Sequence, residues 1–124
     1  MKKRIVLAML VASAVAQAAE WQVVSLDATV NSAIEKTMLK RHGSHVLVWE
    51  RRDYAKLQFT RQGDAYDEAL MREDIDCAND TMKFLSMKMT AGGKEVSSVD
   101  QETPTMQIQP DSLAYSVERA VCTP

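Results

Sequence analysis

The pair of cysteines, Cys77 and Cys122, constrains the fold of this chain most, because the chain begins with an export signal. In an oxidising compartment two cysteines most simply form one intramolecular disulfide. An intermolecular bridge and two free thiols are the alternatives. A bridge between positions 45 residues apart stabilises a domain by about 4 kcal/mol in the chain-entropy model, a large share of the stability of a small domain.

The export signal occupies the first 18 residues. A basic start at residues 2–4 precedes an apolar run that continues in small residues to Ala18. The sequence Ala16-Gln17-Ala18 has the small-x-small form of a signal-peptidase site, so residues 1–18 are predicted to be a signal peptide and 19–124 the mature domain. We expect no membrane span after cleavage and, since there is no cysteine at the cleavage site, no lipid anchor. The expected location is the periplasm, the cell surface or the medium.

The mature chain has the size of one domain and an acidic charge. Residues 19–124 are 106 residues, too few for two ordinary cores. The whole chain has a net charge of −2, and the leader removes three basic residues and no acidic one, which leaves −5. Such a charge disfavours nucleic acid as a partner. The oligomeric state does not follow from the sequence.

Strands are predicted where β-formers run between turn residues. Ala28–Ile34 fits a strand or the start of a helix, with the strand favoured, and Ala65–Cys77 fits either. Gly43 suits a type II′ turn that joins residues 37–41 to the strand after it. A polar connection is expected at residues 55–64, and Glu73 interrupts an otherwise apolar face of the 65–77 segment. The predicted strands are 20–26, 46–50, 81–90 and 94–99.

The end of the chain predicts one short helix. Asp111 or Ser112 can cap it, and Pro110 lies just outside. Apolar residues then recur at helical spacing, ending next to Cys122. A helix of about three turns needs tertiary contacts to be stable, and a bond from Cys122 to Cys77 would supply one.

One basic and aromatic patch is the candidate partner-binding site. Arginine and aromatic side chains are enriched at protein interfaces. The patch lies beside Phe59 and consists of Arg51, Arg52, Tyr54, Lys56 and Arg61.

No catalytic residue, metal site or cofactor is predicted. His42 and His45 flank one turn, but no third metal ligand is visible. The methionines at strand spacing are interpreted as core residues. Nucleophile elbows, phosphate-binding glycine loops and CxxC pairs are absent from the sequence. Acidic residues crowd 64–80, and an exported hydrolase or enzyme modulator that uses this stretch is the alternative function.

The order of motifs resembles the surface-adhesin protein E family of Gram-negative bacteria. Trp21 opens the mature domain, the run Val46-Leu47-Val48-Trp49 follows a glycine turn, and Glu73-Asp74-Ile75-Asp76-Cys77 closes a long segment. The stretch Met106-Gln107-Ile108-Gln109-Pro110-Asp111-Ser112 and the ending Val121-Cys122 complete the resemblance, which covers nearly the whole mature chain. Met106 stands where family members often have an aromatic residue, and the lipid-anchor cysteine of the founding member is missing.

The resemblance implies an α+β fold. A curved antiparallel sheet of about six strands would carry a C-terminal α-helix on its concave face, tethered by a disulfide between Cys77 and Cys122. It also implies that residues 65–77 form a strand. The implied function is non-enzymatic: an exported module that binds a protein partner, with adhesion to host matrix or serum proteins as the family role.

Overall fold

The computed structural model describes residues 18–123. The predicted signal peptide, apart from Ala18, lies outside these residues. Among these described residues, eight strands and one α-helix follow one another, and a single 3₁₀ turn, Lys36–Met38, comes after the second strand. The elements are β1 (Trp21–Leu26), β2 (Val30–Glu35), β3 (Lys40–His42), β4 (His45–Phe59), β5 (Ala65–Asp76), β6 (Thr81–Ala91), β7 (Lys94–Val99), β8 (Met106–Gln107) and α1 (Leu113–Cys122).

The strands form one open antiparallel sheet in the order β1-β2-β4-β5-β6-β7. Two short strands lie off this path, β3 on β4 and β8 on β6. The prediction of an antiparallel sheet of about six main strands with a C-terminal helix on one face is confirmed. No helix among residues 18–123 is long and apolar enough to cross a membrane.

Side-chain alternation divides the sheet into two faces. We call the face that carries Val46, Val48, Glu50, Arg52 and Tyr54 of β4 the inner face, and the opposite one the outer face. At one end of the inner face, α1 covers a core formed by residues from four strands, the segment after β8 and the helix. This core contains Ile34, Val46, Val48, Ile75, Met82, Ile108, Val117 and Val121.

The inner face continues beyond the helix. Ala69, Met71 and Met89 form a second, smaller buried cluster there. The register aligns Met71 with Met87 and Ala69 with Met89, so these side chains share one surface. The helix therefore covers only half of the inner face, and the other half remains available for a site.

Three contacts hold α1 in place. The Ser112 hydroxyl oxygen accepts a hydrogen bond from the Tyr115 amide at 3.1 Å, which confirms Ser112 as the N-cap. At the other end, Arg41 Nη1 of β3 donates to the Val121 carbonyl oxygen at 2.7 Å. The bond between Cys77, just after β5, and Cys122 joins the last helical turn to the sheet.

One expectation about the long hairpin is wrong. Residues 55–59 are not a polar connection: β4 continues to Phe59, because Gln58 and Phe59 pair with Tyr66 and Ala65 of β5 across a bulge. Glu73 is, as expected, the polar residue on the otherwise apolar face of β5, and it lies fully buried there between Met71 and Ile75.

The other uncertain segments are settled as strands. Residues 65–76 form β5, and Val30–Glu35 forms β2. The partner expected at residues 37–41 is shorter than predicted and shifted, since β3 begins at Lys40. The turn after it contains Gly43 at φ +59°, and His42 pairs with His45. A positive φ at the first central residue is what a type II′ turn requires.

Replacing both Cys77 and Cys122 by alanine should lower the free energy of unfolding by about 4 kcal/mol, because the unfolded chain regains the entropy of an open loop. Urea unfolding would measure the loss. Hydrogen exchange should show the amides of α1 losing more protection than those of β5. An unchanged urea midpoint, or free thiols found by mass spectrometry in the exported protein, would contradict the role of this bond.

Candidate functional site

The uncovered half of the inner face forms a groove of about 740 Å³. Its floor is apolar and aromatic and comes from β4, β5 and β6, while its wall comes from the segment at residues 97–104. This volume lies within the range of about 300–1,000 Å³ that is typical of small-molecule sites. Floor residues are Tyr54, Tyr66, Met71, Phe84, Met87 and Met89; polar residues on the rim include Arg52, Arg61, Gln62, Gln101, Glu102 and Thr103.

Specific contacts hold the floor and the wall together. Tyr54 and Tyr66 meet edge to face, with ring centroids 5.9 Å apart. The Phe84 amide donates to Thr103 Oγ1 and the Thr103 amide to the Phe84 carbonyl oxygen, both at 2.9 Å. The wall is therefore fixed to β6 by one main-chain bond and one bond to a side-chain hydroxyl.

Two buried glutamates lie where the helix-covered core meets the groove. Glu50 of β4 and Glu73 of β5 are both fully buried, and since Glu50 is aligned with Met71 they are diagonal neighbours on the inner face. The Ser32 hydroxyl donates to Glu50 Oε2. Arg52 Nε and Nη2 donate to the two oxygens of Glu50 at 2.9 and 3.1 Å. We call Ser32, Glu50, Arg52 and Glu73 the buried network.

Burial keeps the proton on one of the two carboxyl groups of the buried network. Burial raises the pKa of Glu73 well above its usual value, and the neighbouring Glu50 carboxylate acts in the same direction. For Glu50 burial also acts to raise the pKa, but the interaction with Glu73 and the hydrogen bonds from Arg52 and Ser32 outweigh it and the pKa is lowered. Glu73 is therefore the neutral partner beside the Glu50 carboxylate, and neither of its carboxyl oxygens has a hydrogen-bond partner among residues 18–123.

This assignment leaves the buried network without net charge. Burial acts to lower the pKa of Arg52, but the hydrogen bonds and charge of Glu50 raise it, so the guanidinium stays charged. One cation and one anion then balance, and the remaining carboxyl is neutral. Because the side chains of Glu50 and Glu73 are inaccessible to solvent, neither carboxyl contacts a molecule in the groove; Arg52, 16% exposed, is the one charged member that does line it.

The β4–β5 hairpin extends beyond its neighbours at residues 56–66, which we call the hairpin tip. β2 pairs with β4 only as far as Tyr54, and β6 pairs with β5 only from Glu68 onward. Two large apolar side chains at the hairpin tip are exposed, Leu57 by 55% and Phe59 by 67%. Apolar groups exposed in this way, beside Lys56 and Arg61, are typical of an interaction site.

The predicted partner-binding residues do not all lie together. Arg52, Tyr54 and Arg61 line the groove, and Lys56 lies at the hairpin tip. Arg51 points to the outer face, where its guanidinium carbon lies 4.5 Å from the centre of the Trp21 ring. The structure thus assigns four of the five residues to one end of the molecule and one to the opposite face.

The His45 side chain contacts residues of the acidic stretch and not the His42 side chain. Its Nδ1 lies 2.8 Å from Asp74 Oδ1 and its Nε2 lies 3.6 Å from Asp76 Oδ2, on the outer face. The hydrogen bond and charge of Asp74 raise the pKa of His45. Among residues 18–123 no three or more histidine, cysteine or acidic side chains are grouped so as to hold a metal. Since Glu73 faces inward, the acidic residues of 64–80 do not form one cluster.

Sequence reasoning missed the buried network, although a signal for it was present. Glu50 continues the alternation of Val46 and Val48, and Glu73 continues that of Ala69 and Met71. A glutamate at an inward position on each of two adjacent strands indicates a paired buried site.

The chain matches the family model described as Surface-adhesin protein E over residues 21–123. Among solved structures it is similar to crystal form II of Haemophilus influenzae protein E, with 10% identity, a TM-score of 0.56, and coverage of 86% of this chain and 96% of that one. A structure of protein E from non-typeable Haemophilus influenzae has 14% identity and a TM-score of 0.54, with 81% and 74% covered. At these identities the likeness shows the fold alone. A search of curated proteins finds no match.

Replacing Glu73 by glutamine should make the stability less sensitive to pH. The pKa of Glu73 is near 4.5 in the unfolded chain and higher in the folded one, so its stabilising contribution is complete below that unfolded value and is lost as the pH rises through the folded pKa. Over this window the slope is at most about 1.4 kcal/mol per pH unit. Glutamine has nearly the same size as glutamate but cannot ionise.

Urea unfolding at a series of pH values would measure this effect as the difference in stability between Glu73→Gln and the unchanged protein. We expect the difference to rise with pH in favour of the variant. Glu68→Gln, on the same strand, is the matched control and should show no such rise. Subtracting the unchanged protein also cancels the contribution of Glu118, whose pKa is likewise raised by burial and by Asp80. A difference that stays flat with pH would refute the raised pKa of Glu73.

Proposed function

We propose that this chain, which belongs to the surface-adhesin protein E family, is an exported, non-enzymatic module that binds a protein partner through its hairpin tip. The observation that carries the proposal is the exposure of Leu57 and Phe59 at the end of a two-stranded projection. A projecting pair of large apolar side chains offers a partner contact area that the domain itself does not use.

The chemistry of the hairpin tip supports a protein rather than a small molecule as its partner. Leu57 and Phe59 lie on a convex projection, whereas small-molecule sites are concave. An aromatic anchor with nearby cations is the composition found at the energetic centre of protein interfaces. Lys56 and Arg61 give this end of an acidic chain a local positive charge, which favours an acidic patch on the partner.

The burial of the two inner-face carboxyl groups supports a non-enzymatic role. General acid–base catalysis needs a titratable side chain within hydrogen-bond reach of the substrate. The two carboxyl groups of the inner face with shifted pKa values, Glu50 and Glu73, are shielded from the groove by their complete burial. Their energetic role is internal to the sheet.

The partners that we propose are proteins of the host extracellular matrix or serum, met at the bacterial surface. The family description, surface adhesin, supports this class of partner. Display at the surface is part of the proposal, because a hairpin tip confined to the periplasm would not reach such partners. Protease treatment of intact cells should then remove the domain.

Replacing Phe59 by alanine should weaken binding to a matrix or serum protein at least tenfold, since truncation of a central aromatic anchor costs about 2 kcal/mol or more. Surface plasmon resonance against a panel of purified matrix and serum proteins would measure it. Val23→Ala is the matched control: Val23 is a 57%-exposed apolar residue on β1, away from the hairpin tip.

Two results would count against the proposal. The first is that the unchanged protein shows no saturable binding to any member of the panel. The second is that Phe59→Ala and Val23→Ala weaken binding equally, in which case the hairpin tip is not the site. Both variants alter exposed side chains, so circular dichroism should show unchanged folding.

A further inference from the structure

We infer that the groove beside the hairpin tip is a binding site for a small aliphatic carboxylate, such as a free fatty acid. This site would be additional to the protein contact proposed for the hairpin tip. Its cationic end is formed by Arg52 and Arg61 and its apolar end by the methionines and aromatic residues of the floor. The ligand would place its carboxylate at the cationic end and its hydrocarbon chain along the apolar end.

Arg52 presents an unused hydrogen-bonding edge at this site. Its Nε and Nη2 contact Glu50, at 2.9 and 3.1 Å, whereas Nη1 makes no hydrogen bond to any residue from 18 to 123. The side chain lines the groove. A guanidinium group has five N–H donors, and a carboxylate is the acceptor that fits two of them at once. The ion pair with Glu50 also fixes Arg52 in place before a ligand arrives.

The charges around the groove favour an anion. Glu50 balances Arg52, and Glu73 is neutral in the folded chain. Glu102, the acidic residue on the rim, lies 3.0 Å from Lys83 Nζ, which offsets its charge. Arg61 remains as an uncompensated cation among the lining residues. A ligand with one negative charge would therefore balance the remaining positive charge of the site.

The floor favours an aliphatic chain over a peptide. From Ala69 to Glu73, at the methionine end of the floor, β5 pairs with β4 on one side and β6 on the other, so its main-chain groups there are already bonded within the sheet. A peptide lying there would leave amides unpaired, which is costly in an apolar site. A hydrocarbon chain has no such groups, and the flexible thioethers of Met71, Met87 and Met89 adapt to its shape.

Methionine methyl resonances provide a direct test with the unaltered domain. The probe is decanoate, below its micellar concentration and at about pH 7.5, where a carboxylic acid is ionised. The methyl signals of Met71, Met87 and Met89 should shift together and saturate at one dissociation constant. Those of Met38 and Met106, both exposed and outside the groove, should stay in place and serve as internal controls.

Probes of the same chain length separate charge from hydrophobicity. Decanol and decyltrimethylammonium carry the same hydrocarbon with a neutral and a positive head group. We expect both to bind at least tenfold more weakly than decanoate. Arg61→Gln should weaken the affinity for decanoate about three- to fivefold, as expected for the loss of one partly exposed ion pair. Lys56→Gln, which removes a cation from the same hairpin but outside the groove lining, should leave the affinity unchanged.

Several results would overturn the inference. Equal affinities for the three probes would mean non-specific partition of hydrocarbon. Shifts at Met38 and Met106 as large as those at the floor would mean general surface binding. Tighter binding of tetraleucine with a free C-terminal carboxylate would identify a peptide end as the occupant instead. None of these measurements depends on Phe59. Failure of the groove proposal therefore does not affect the hairpin-tip proposal, and failure of the hairpin-tip proposal does not affect the groove proposal.

Discussion

The burial of Glu50 and Glu73 side by side requires β4 and β5 to keep one register. A slip of either strand by a single residue would turn its glutamate to the opposite face from the other glutamate and bring the outward residues of that strand inward. Burying charged groups is costly unless every partner is in place, so the buried network stabilises only the observed alignment. The register of the two central strands is thereby fixed near their midpoint. This register also decides which residues of β4, from Val46 to Tyr54, point to the inner face.

The buried network also divides the inner face into two environments. On one side lies the apolar core under α1, held by the disulfide and by Arg41. On the other side the helix is absent, and the segment at residues 97–104 covers the sheet only partly. A ten-residue helix is too short to cover both halves of strands that are eleven to fifteen residues long. The groove exists because the one helix is held by its tether to one end of the sheet.

The sequence allowed much of the fold to be predicted, and the limits have physical causes. Ser112 and the two cysteines carry local or compartment-level signals, so the helix cap and the disulfide followed from them. The strand at residues 55–59 was missed because its exposed Lys56 and Gln58 have the composition of a loop; only pairing with Tyr66 and Ala65 makes it a strand. The groove was not predictable, because its wall depends on Thr103 meeting Phe84, and no periodic pattern encodes a contact between residues so far apart in sequence.

The position of the hairpin tip has an evolutionary consequence. Leu57 and Phe59 lie beyond the ends of β2 and β6, so they take no part in the helix-covered core or in the buried network. Substitutions at such positions usually change the stability of a domain by less than about 0.5 kcal/mol. Lineages of this chain can therefore diversify the sequence of the hairpin tip while the sheet beneath it stays the same.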